Sequence, residues 1–331
     1  MRIGTIGSGT IVDRMIQAVK QTEGMQIEAI YSRSEQKARA FAQKHSVKQW
    51  YTDLDAMLAS DIDTVYVASP NSLHYPQALK ALQAGKHVIC EKPFVPTGRE
   101  CETLFETARE HGVYIFEAIT NQFVPNYQVV KDHLKDCGTI QMIQANYSQY
   151  SSRYGKYLAK EQTNAFDPAF YGGALMDINV YCLHFVIGLL GKPDKVTYSA
   201  NKGYNGVDTS GVVVLQYPDQ LAVCVGAKDS SSENQVMIQG DKGCLRVYGS
   251  GCGVCAQVEF LEPKGDMIGK KDTSQAIQLG QDQAFHMIYE CRVFQKIVAE
   301  RDEKTYQKLC EQTKNVVSIL ETCRGQIQYG Q

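Results

Sequence analysis

The sequence predicts an α/β fold in two parts. The first is a parallel sheet flanked by helices. The second is an α+β portion built on a large, mostly antiparallel open sheet. Three observations carry this. Short apolar runs alternate with stretches of helical periodicity through residue 119. Beyond Phe123-Val124-Pro125 the strand-like runs follow one another directly, with turn signals such as "YPDQ" and "GDKG" between them. A glycine turn, Gly7-Ser8-Gly9, stands between the first apolar run and the first helical stretch. The change of pattern places the domain boundary at 1–121 and 122–331.

"RIGTI" is a short buried strand, and Ile11, Met15, Ala18 and Val19 then recur at helical spacing over residues 10 to 21. "MQIEAIYS" is a second strand, and "SEQKARAFAQKH" a helix with Ser34 as its N-cap. "DTVYVAS" is a third strand, followed by a helix in "SLHYPQALKALQAG" that ends at Gly85. "KHVIC" is a fourth strand, residues 97 to 111 another helix, and "VYIFEAI" a fifth strand. Such alternation means βαβ units and a parallel sheet. Ligands of these sheets bind at the carboxyl ends of the strands, so the strand ends hold the candidate site residues.

The first strand ends in a GxGxx turn. Gly7 permits the tight turn, and Gly9 lets a pyrophosphate approach the backbone. Thr10 and Ile11 open a helix whose free N–H groups and positive dipole end favour the phosphates. Val12 replaces the usual third glycine. This predicts a Rossmann dinucleotide-binding domain. The second strand ends at Tyr31-Ser32-Arg33-Ser34, with Lys37 one turn beyond Arg33, where an NAD site would place Asp or Glu for the ribose 2′-hydroxyl. A hydroxyl and two cations suit a 2′-phosphate instead. NADP(H) is therefore favoured over NAD(H), with Ser32, Arg33 and Lys37 as its contacts. At the third strand end, Ser69 and Pro70 stop the strand, Asn71 can cap the next helix, and His74 sits in its first turn; this loop can cover the nicotinamide and ribose. The fourth strand ends abruptly in Glu91, Lys92 and Pro93. An acid and a base before a proline mark Lys92 as a positioned catalytic residue.

The second part opens with a helix near 126 to 136. Strands follow near "TIQMIQANYSQY", "KVTYSAN", "GVVVLQY", "LAVCVGA", "NQVMIQG" and "CLRVYGS", and helices near 282 to 300 and 304 to 323 close the chain. One face of such a sheet can be left for a partner subunit. One segment interrupts the strands: "DPAFYGGALMDINVYCLHFVIGLLG". On its helix Asp177, Tyr181 and His184 share a face, and Ala174, Ile178, Cys182 and Phe185 form a core-facing stripe beside it. A carboxylate, a phenol and an imidazole bordering an apolar stripe belong at a cleft wall. Tyr150, Tyr154, Phe166 and Phe170 are candidate pocket walls.

The bulk numbers exclude other classes. The chain has 331 residues, 44% hydrophobic and 21% charged, with a formal net charge of −2. There is no long basic or acidic run, which argues against nucleic acid or a membrane surface as partner. No apolar run in the sequence approaches a membrane span. The start "MRIGTIGSGT" enters structure without a signal core. Eleven irregularly spaced cysteines imply free thiols in a reducing cytoplasm. Cys252 and Cys255 form a CxxC with no second pair, so it reads as structural and no metal site is expected.

"GSGTIVD", "YSRSEQKARAFA", "ASPNSLHYPQALKALQAGKHVICEKP" and "FYGGALMDINVY", in this order, resemble the Gfo/Idh/MocA oxidoreductase family over nearly the whole chain. The resemblance implies a Rossmann domain and an α/β domain whose open sheet often mediates oligomers, here a homodimer or tetramer. It implies hydride transfer between NAD(P) and a carbinol of a sugar, polyol or related compound. It also implies that Lys92 lies beside the nicotinamide and the reacting hydroxyl, that Pro93 follows a cis bond, and that Glu91 fixes the loop. Many members read Asp-x-Gly-x-His where this chain has Asp177-Ile178-Asn179-Val180-Tyr181. Tyrosine there is similar to the subgroup of dimeric dihydrodiol dehydrogenase and NADP-dependent xylose dehydrogenase. Asn121 and Gln122 stand where a cationic residue is common. These features imply Tyr181 as acid–base group, Lys92 as its electrostatic partner, and Asp177 as the group that orients substrate or Lys92. A dinucleotide-binding regulator without catalysis is the alternative within the same fold.

Overall fold

The computed structural model describes residues 1–249, 253, 255–262, 276–281 and 285–327. The chain forms two compact units, Met1–Ile119 with Met287–Ser318, and Thr120–His286 with Ile319–Gln331. The division is not a single cut. Residues 287–318 fold with the first unit, although the sequence pattern assigns them to the 122–331 portion.

The first unit holds a six-stranded sheet in the order β3-β2-β1-β4-β5-β6, parallel throughout. Its strands are β1 (Arg2–Ile6), β2 (Gln26–Tyr31), β3 (Gln49–Tyr51), β4 (Thr64–Val67), β5 (His87–Glu91) and β6 (Ile115–Ala118). Five of them match the expected strands; the short β3 is an addition. The helices are α1 (Thr10–Val19), α2 (Glu35–His45), α3 (Leu54–Leu58), α4 (His74–Gln83) and α5 (Gly98–Glu110). β4 and β6 are buried along their whole length. Strands covered on both faces read as continuous apolar runs, and "TVYV" does so. Ser34 caps α2 by accepting from the Lys37 N–H, as expected. Asn71 does not cap α4. It lies in a 3₁₀ turn, Asn71–Leu73, and Leu73 precedes α4 without a side-chain cap. The strand order reverses between β1 and β4, and in sheets of this kind ligands bind outside the carboxyl ends of the strands at such a switch point.

The second unit is built on an eight-stranded sheet in the order β14-β13-β12-β11-β7-β10-β9-β8. Its strands are β7 (Ile140–Ser148), β8 (Lys195–Lys202), β9 (Asp208–Gln216), β10 (Leu221–Ala227), β11 (Gln235–Gly240), β12 (Cys244–Tyr248), β13 (Gln257–Leu261) and β14 (Ala276–Gln281). All neighbours are antiparallel except β10 and β7. Helices α6 (Pro125–His133), α7 (Tyr154–Leu158) and α8 (Val180–Leu190) belong to this unit. Helix α9 (Met287–Glu300) belongs to the first, and α10 (Glu303–Gln326) runs from the first unit into the second. Residues 282–284 of the expected 282–300 helix lie outside the described residues.

α8 is preceded by one π-helical turn, Leu175–Asn179. The helical stretch Pro168–Leu190 is long and apolar enough to cross a bilayer by length and composition, which corrects the sequence expectation that no run approaches that length. It is mostly buried, with Ala174, Leu175, Met176, Val180, Cys182, Leu183, Phe185 and Val186 in the core. The expected core stripe is therefore in place. His184 joins it at 0% exposure, so it is a core histidine and not part of a cleft wall with Tyr181.

Candidate active site

In the first unit, Gly7 adopts φ +123°, and a Cβ there would meet the Ala68 carbonyl oxygen at 2.7 Å. Only glycine fits this turn without strain. Gly9 is the N-cap of α1, and a Cβ on it would meet nothing within 4 Å. Gly9 and Thr10 are exposed and Ile11 half-buried. An open backbone turn at a helix N-terminus fits a pyrophosphate. Val12 is fully buried and takes the packing position of a third glycine. At the end of β2, Arg33 and Lys37 are exposed and Ser32 is half-buried. The hydroxyl of Ser32 accepts from the Ser34 N–H at 3.4 Å. A hydroxyl and two cations thus stand at one strand end with no carboxylate among residues 31–34.

The turn after β5 is held from three sides. The Lys92–Pro93 peptide is cis, as the resemblance implies. Tyr66 Oη donates to Glu91 Oε1 at 2.5 Å. The Phe94 N–H donates to Glu117 Oε1 at 3.1 Å, and Thr313 holds the other Glu117 oxygen at 2.9 Å. His74 Nδ1 lies 2.9 Å from the Pro93 carbonyl and Nε2 3.0 Å from the Ser69 carbonyl. Both ring nitrogens face backbone carbonyls, and the residue is 1% exposed. His74 is thus placed between the Ser69 and Pro93 carbonyls, just past the ends of β4 and β5. Ser69 donates to Gln77 Oε1 at 2.6 Å. Glu91 is likewise buried, and burial pushes its carboxyl up to about 7. It sits under the turn, while Lys92 above it is half-buried.

In the second unit, Asp177 lies in the π turn and Tyr181 in the first turn of α8. Tyr181 is half-buried, and its ring meets Tyr147 of β7 edge-on at 5.5 Å. Asn121 donates to the Tyr181 carbonyl at 2.8 Å and Gln122 to the His184 carbonyl at 2.8 Å. The two amides that replace the expected cation therefore anchor α8. Asn179 donates to the Cys224 carbonyl at 3.0 Å. A Cβ on Gly226 would lie 2.8 Å from the Asn179 Cβ, so the larger side chain is accommodated by a glycine on the facing strand.

Two residues of this site escaped the sequence reading. Asp208 accepts from the Leu175 N–H at 2.6 Å and the Tyr198 hydroxyl at 2.8 Å. A Cβ on Gly173, at φ +113°, would collide with it. Burial pushes the Asp208 carboxyl up to about 6. Lys228, just past β10, places Nζ 2.8 Å from Asp177 Oδ2. A lone lysine after an apolar strand gave no signal. Of the expected walls, Phe166 is 1% exposed and packs with Tyr154 and Tyr157 at 5.5 and 4.8 Å. Tyr150 is 50% exposed and Phe170 half-buried. Among the described residues no group of His, Cys, Asp and Glu could hold a metal. Cys255 is a buried free thiol; Cys252 lies outside the described residues.

Residues 1–119 match the oxidoreductase family with an NAD-binding Rossmann fold named Gfo/Idh/MocA, and residues 127–246 match the C-terminal domain of that family. The chain belongs to the Gfo/Idh/MocA family and is an NAD(P)-dependent oxidoreductase acting on CH–OH groups. It is 34% identical over 328 residues to scyllo-inositol 2-dehydrogenase (NADP(+)) of Bacillus subtilis, covering 99% of this chain and 97% of that one. It is 30% identical over 252 residues to trans-1,2-dihydrobenzene-1,2-diol dehydrogenase of Xenopus tropicalis, covering 74% of each. In fold it resembles a 3-ketoreductase of Actinomadura kijaniata solved with NADP and TDP-benzene, with a TM-score of 0.85, 23% identity, and 98% and 97% of the two chains covered.

Proposed function

We propose that this chain is an NADP(H)-dependent dehydrogenase or reductase of a sugar, polyol or trans-dihydrodiol-like substrate. The observation that carries the cofactor choice is the end of β2, where residues 31–34 hold Ser32 and Arg33 and no carboxylate, with Lys37 one turn further on. The glycine turn at Gly7 and Gly9 would hold the pyrophosphate. The NADP(+) dependence of the Bacillus subtilis relative supports the same reading. When bound, the nicotinamide supplies or accepts the hydride.

The proton is handled by the protein. In this reading Tyr181 donates a proton to the carbonyl oxygen in reduction and removes it from the hydroxyl in oxidation. Lys92 is its electrostatic partner: a cation favours the phenolate, and it also binds the substrate oxygen. Ser69, Pro70 and Asn71, in the loop after β4, contribute the cover of the cofactor, and Glu91 and His74 hold the loops in place. The substrate is a small molecule, and we place the protein in the cytoplasm as a homo-oligomer. The ten free cysteines among the described residues suit a reducing compartment.

The test is a titration of NADPH and NADH into the purified protein, followed by nicotinamide fluorescence. NADPH should bind more tightly, and Arg33→Ala should weaken it roughly 10- to 100-fold while leaving NADH nearly unchanged, the range of a charge-assisted hydrogen bond of about 1.5–3 kcal/mol. Equal affinities for the two cofactors would overturn the NADP(H) assignment. Binding of neither would favour a role without hydride transfer.

A further inference from the structure

We propose that Lys228 is a positioning residue that fixes the Asp177 carboxylate as the acceptor for a substrate hydroxyl adjacent to the reacting one. This rests on the dehydrogenase reading above and adds a residue to it. The Lys228 side chain is 2% exposed and that of Asp177 40%. The ammonium is therefore out of water, and the carboxylate it binds keeps a face open. A buried cation stays charged only when its donors are satisfied. Here Nζ lies 2.8 Å from Asp177 Oδ2, donates to the Ala165 carbonyl at 2.7 Å, and sits 4.4 Å from the centre of the Phe166 ring. Three neighbours take up its three N–H directions.

The lysine itself is rigidly placed. Its N–H donates to the Thr209 carbonyl at 2.8 Å, and its carbonyl accepts from the Ser151 N–H at 2.9 Å. These bonds extend β10 by one residue between β9 and the segment after β7. The carboxylate stands in a π turn, where an extra residue per turn shifts the side chain off the regular α-helical register. The ion pair with Lys228 Nζ at 2.8 Å holds one oxygen of that carboxylate. The same ammonium joins the Ala165 carbonyl and the Phe166 ring to Asp177, so this part of the 150–170 segment is tied to the acid.

The consequence is a preference for vicinal diols. An oriented carboxylate gains a charge-assisted hydrogen bond only from a substrate with a second hydroxyl. The probes are trans-cyclohexane-1,2-diol and cyclohexanol, oxidised with NADP⁺ by the full chain. The wild type should favour the diol in kcat/KM by roughly 10- to 100-fold, the range of a hydrogen bond to a charged group. Lys228→Met should collapse this ratio toward unity, mainly through KM for the diol, with the Kd for NADPH unchanged. Lys228→Arg should restore part of the ratio. Should Lys228→Met fail to fold, Asp177→Ala carries the test, because its side chain is at the surface side of the pair and it should collapse the same ratio. Equal losses for both alcohols, or an intact ratio, would overturn the positioning role while leaving the dehydrogenase reading standing. Turnover of neither alcohol by the wild type, alongside turnover of a sugar lacking a vicinal diol, would overturn it as well. Absence of any alcohol oxidation with NADPH still bound would remove the catalytic reading and this proposal with it.

Discussion

At the scale of single residues, Tyr181 is the position where the chemistry can be tested most cleanly. Its backbone is fixed from outside the helix by Asn121, and its ring rests against Tyr147. Removing only the hydroxyl therefore leaves the ring packing intact. If the phenol transfers the proton, Tyr181→Phe should lower kcat by about 10²–10⁴-fold, with NADPH binding unchanged by fluorescence titration. Turnover at the wild-type rate would sink the assignment. Asn121 and Gln122 show how a departure from a family pattern can be structural. Each is an amide that donates to a carbonyl of α8. Asn179 is the same kind of case: its bulk is met by Gly226, and its amide reaches the Cys224 carbonyl.

At the scale of elements, the turn after β5 is built around a carboxyl that prefers to be protonated. Glu91 faces Tyr66, Lys92, Glu117 and the buried Glu290 of α9. Burial raises it from 4.5 to about 7. In the folded state it holds its proton over a range where the unfolded chain has lost it, so stability falls as pH rises across that range. His74 works in the opposite sense, because burial lowers its imidazole and stability is lost as pH falls. The two are separated by comparing variants. Relative to Glu91→Gln, the wild type should lose up to about 3 kcal/mol of stability between pH 4.5 and 7 and show a flat difference above that, measured by urea unfolding at each pH. A pH-independent difference would mean that Glu91 is not held neutral. Such couplings are invisible in the sequence, and so is much else at this scale. The five longer strands and their helices are legible because each carries a full period of apolar spacing. β3 has three residues and α3 five, too few to show one. The π turn at Asp177 breaks the regular α-helical reckoning that grouped it with His184, and His184 is fully buried. The glycine turn and the Glu-Lys-Pro turn could be read directly, because their residue types are dictated by local backbone and chemistry. Lys228 could not, because a lysine after a strand acquires its role only from what the fold brings against it.

At the scale of the whole molecule, the eight-stranded sheet raises the question of what covers its second face. Alternation along β9 and β10 sends Val213, Leu215, Ala222 and Cys224 into the core. The intervening Val212, Val214, Val223 and Val225 are half-buried on the other face. The register sets Val223 opposite Val214 and Val225 opposite Val212, so the four valines form one patch. On the outer side of β9, Thr197 and Ser199 of β8 are paired with the same residues, and Gln144 of β7 lies opposite Val223 and Met237. An apolar centre with a polar rim is the composition of a protein–protein interface. A stable one buries roughly 800 Å² per partner, which a sheet of this width can supply. We expect a solution mass of twice 36.9 kDa or a larger multiple, by light scattering after gel filtration. Replacing Val214 and Val223 together with lysine should shift the species to the single-chain mass, because opposed ammonium groups cannot be desolvated against a like surface. The nicotinamide fluorescence titration should give the same NADPH affinity for that variant, since the substitutions lie in the second unit and the glycine turn in the first. A wild type that is already monomeric at tens of micromolar, or a double variant that keeps the larger mass, would refute the assignment of this face as the subunit contact.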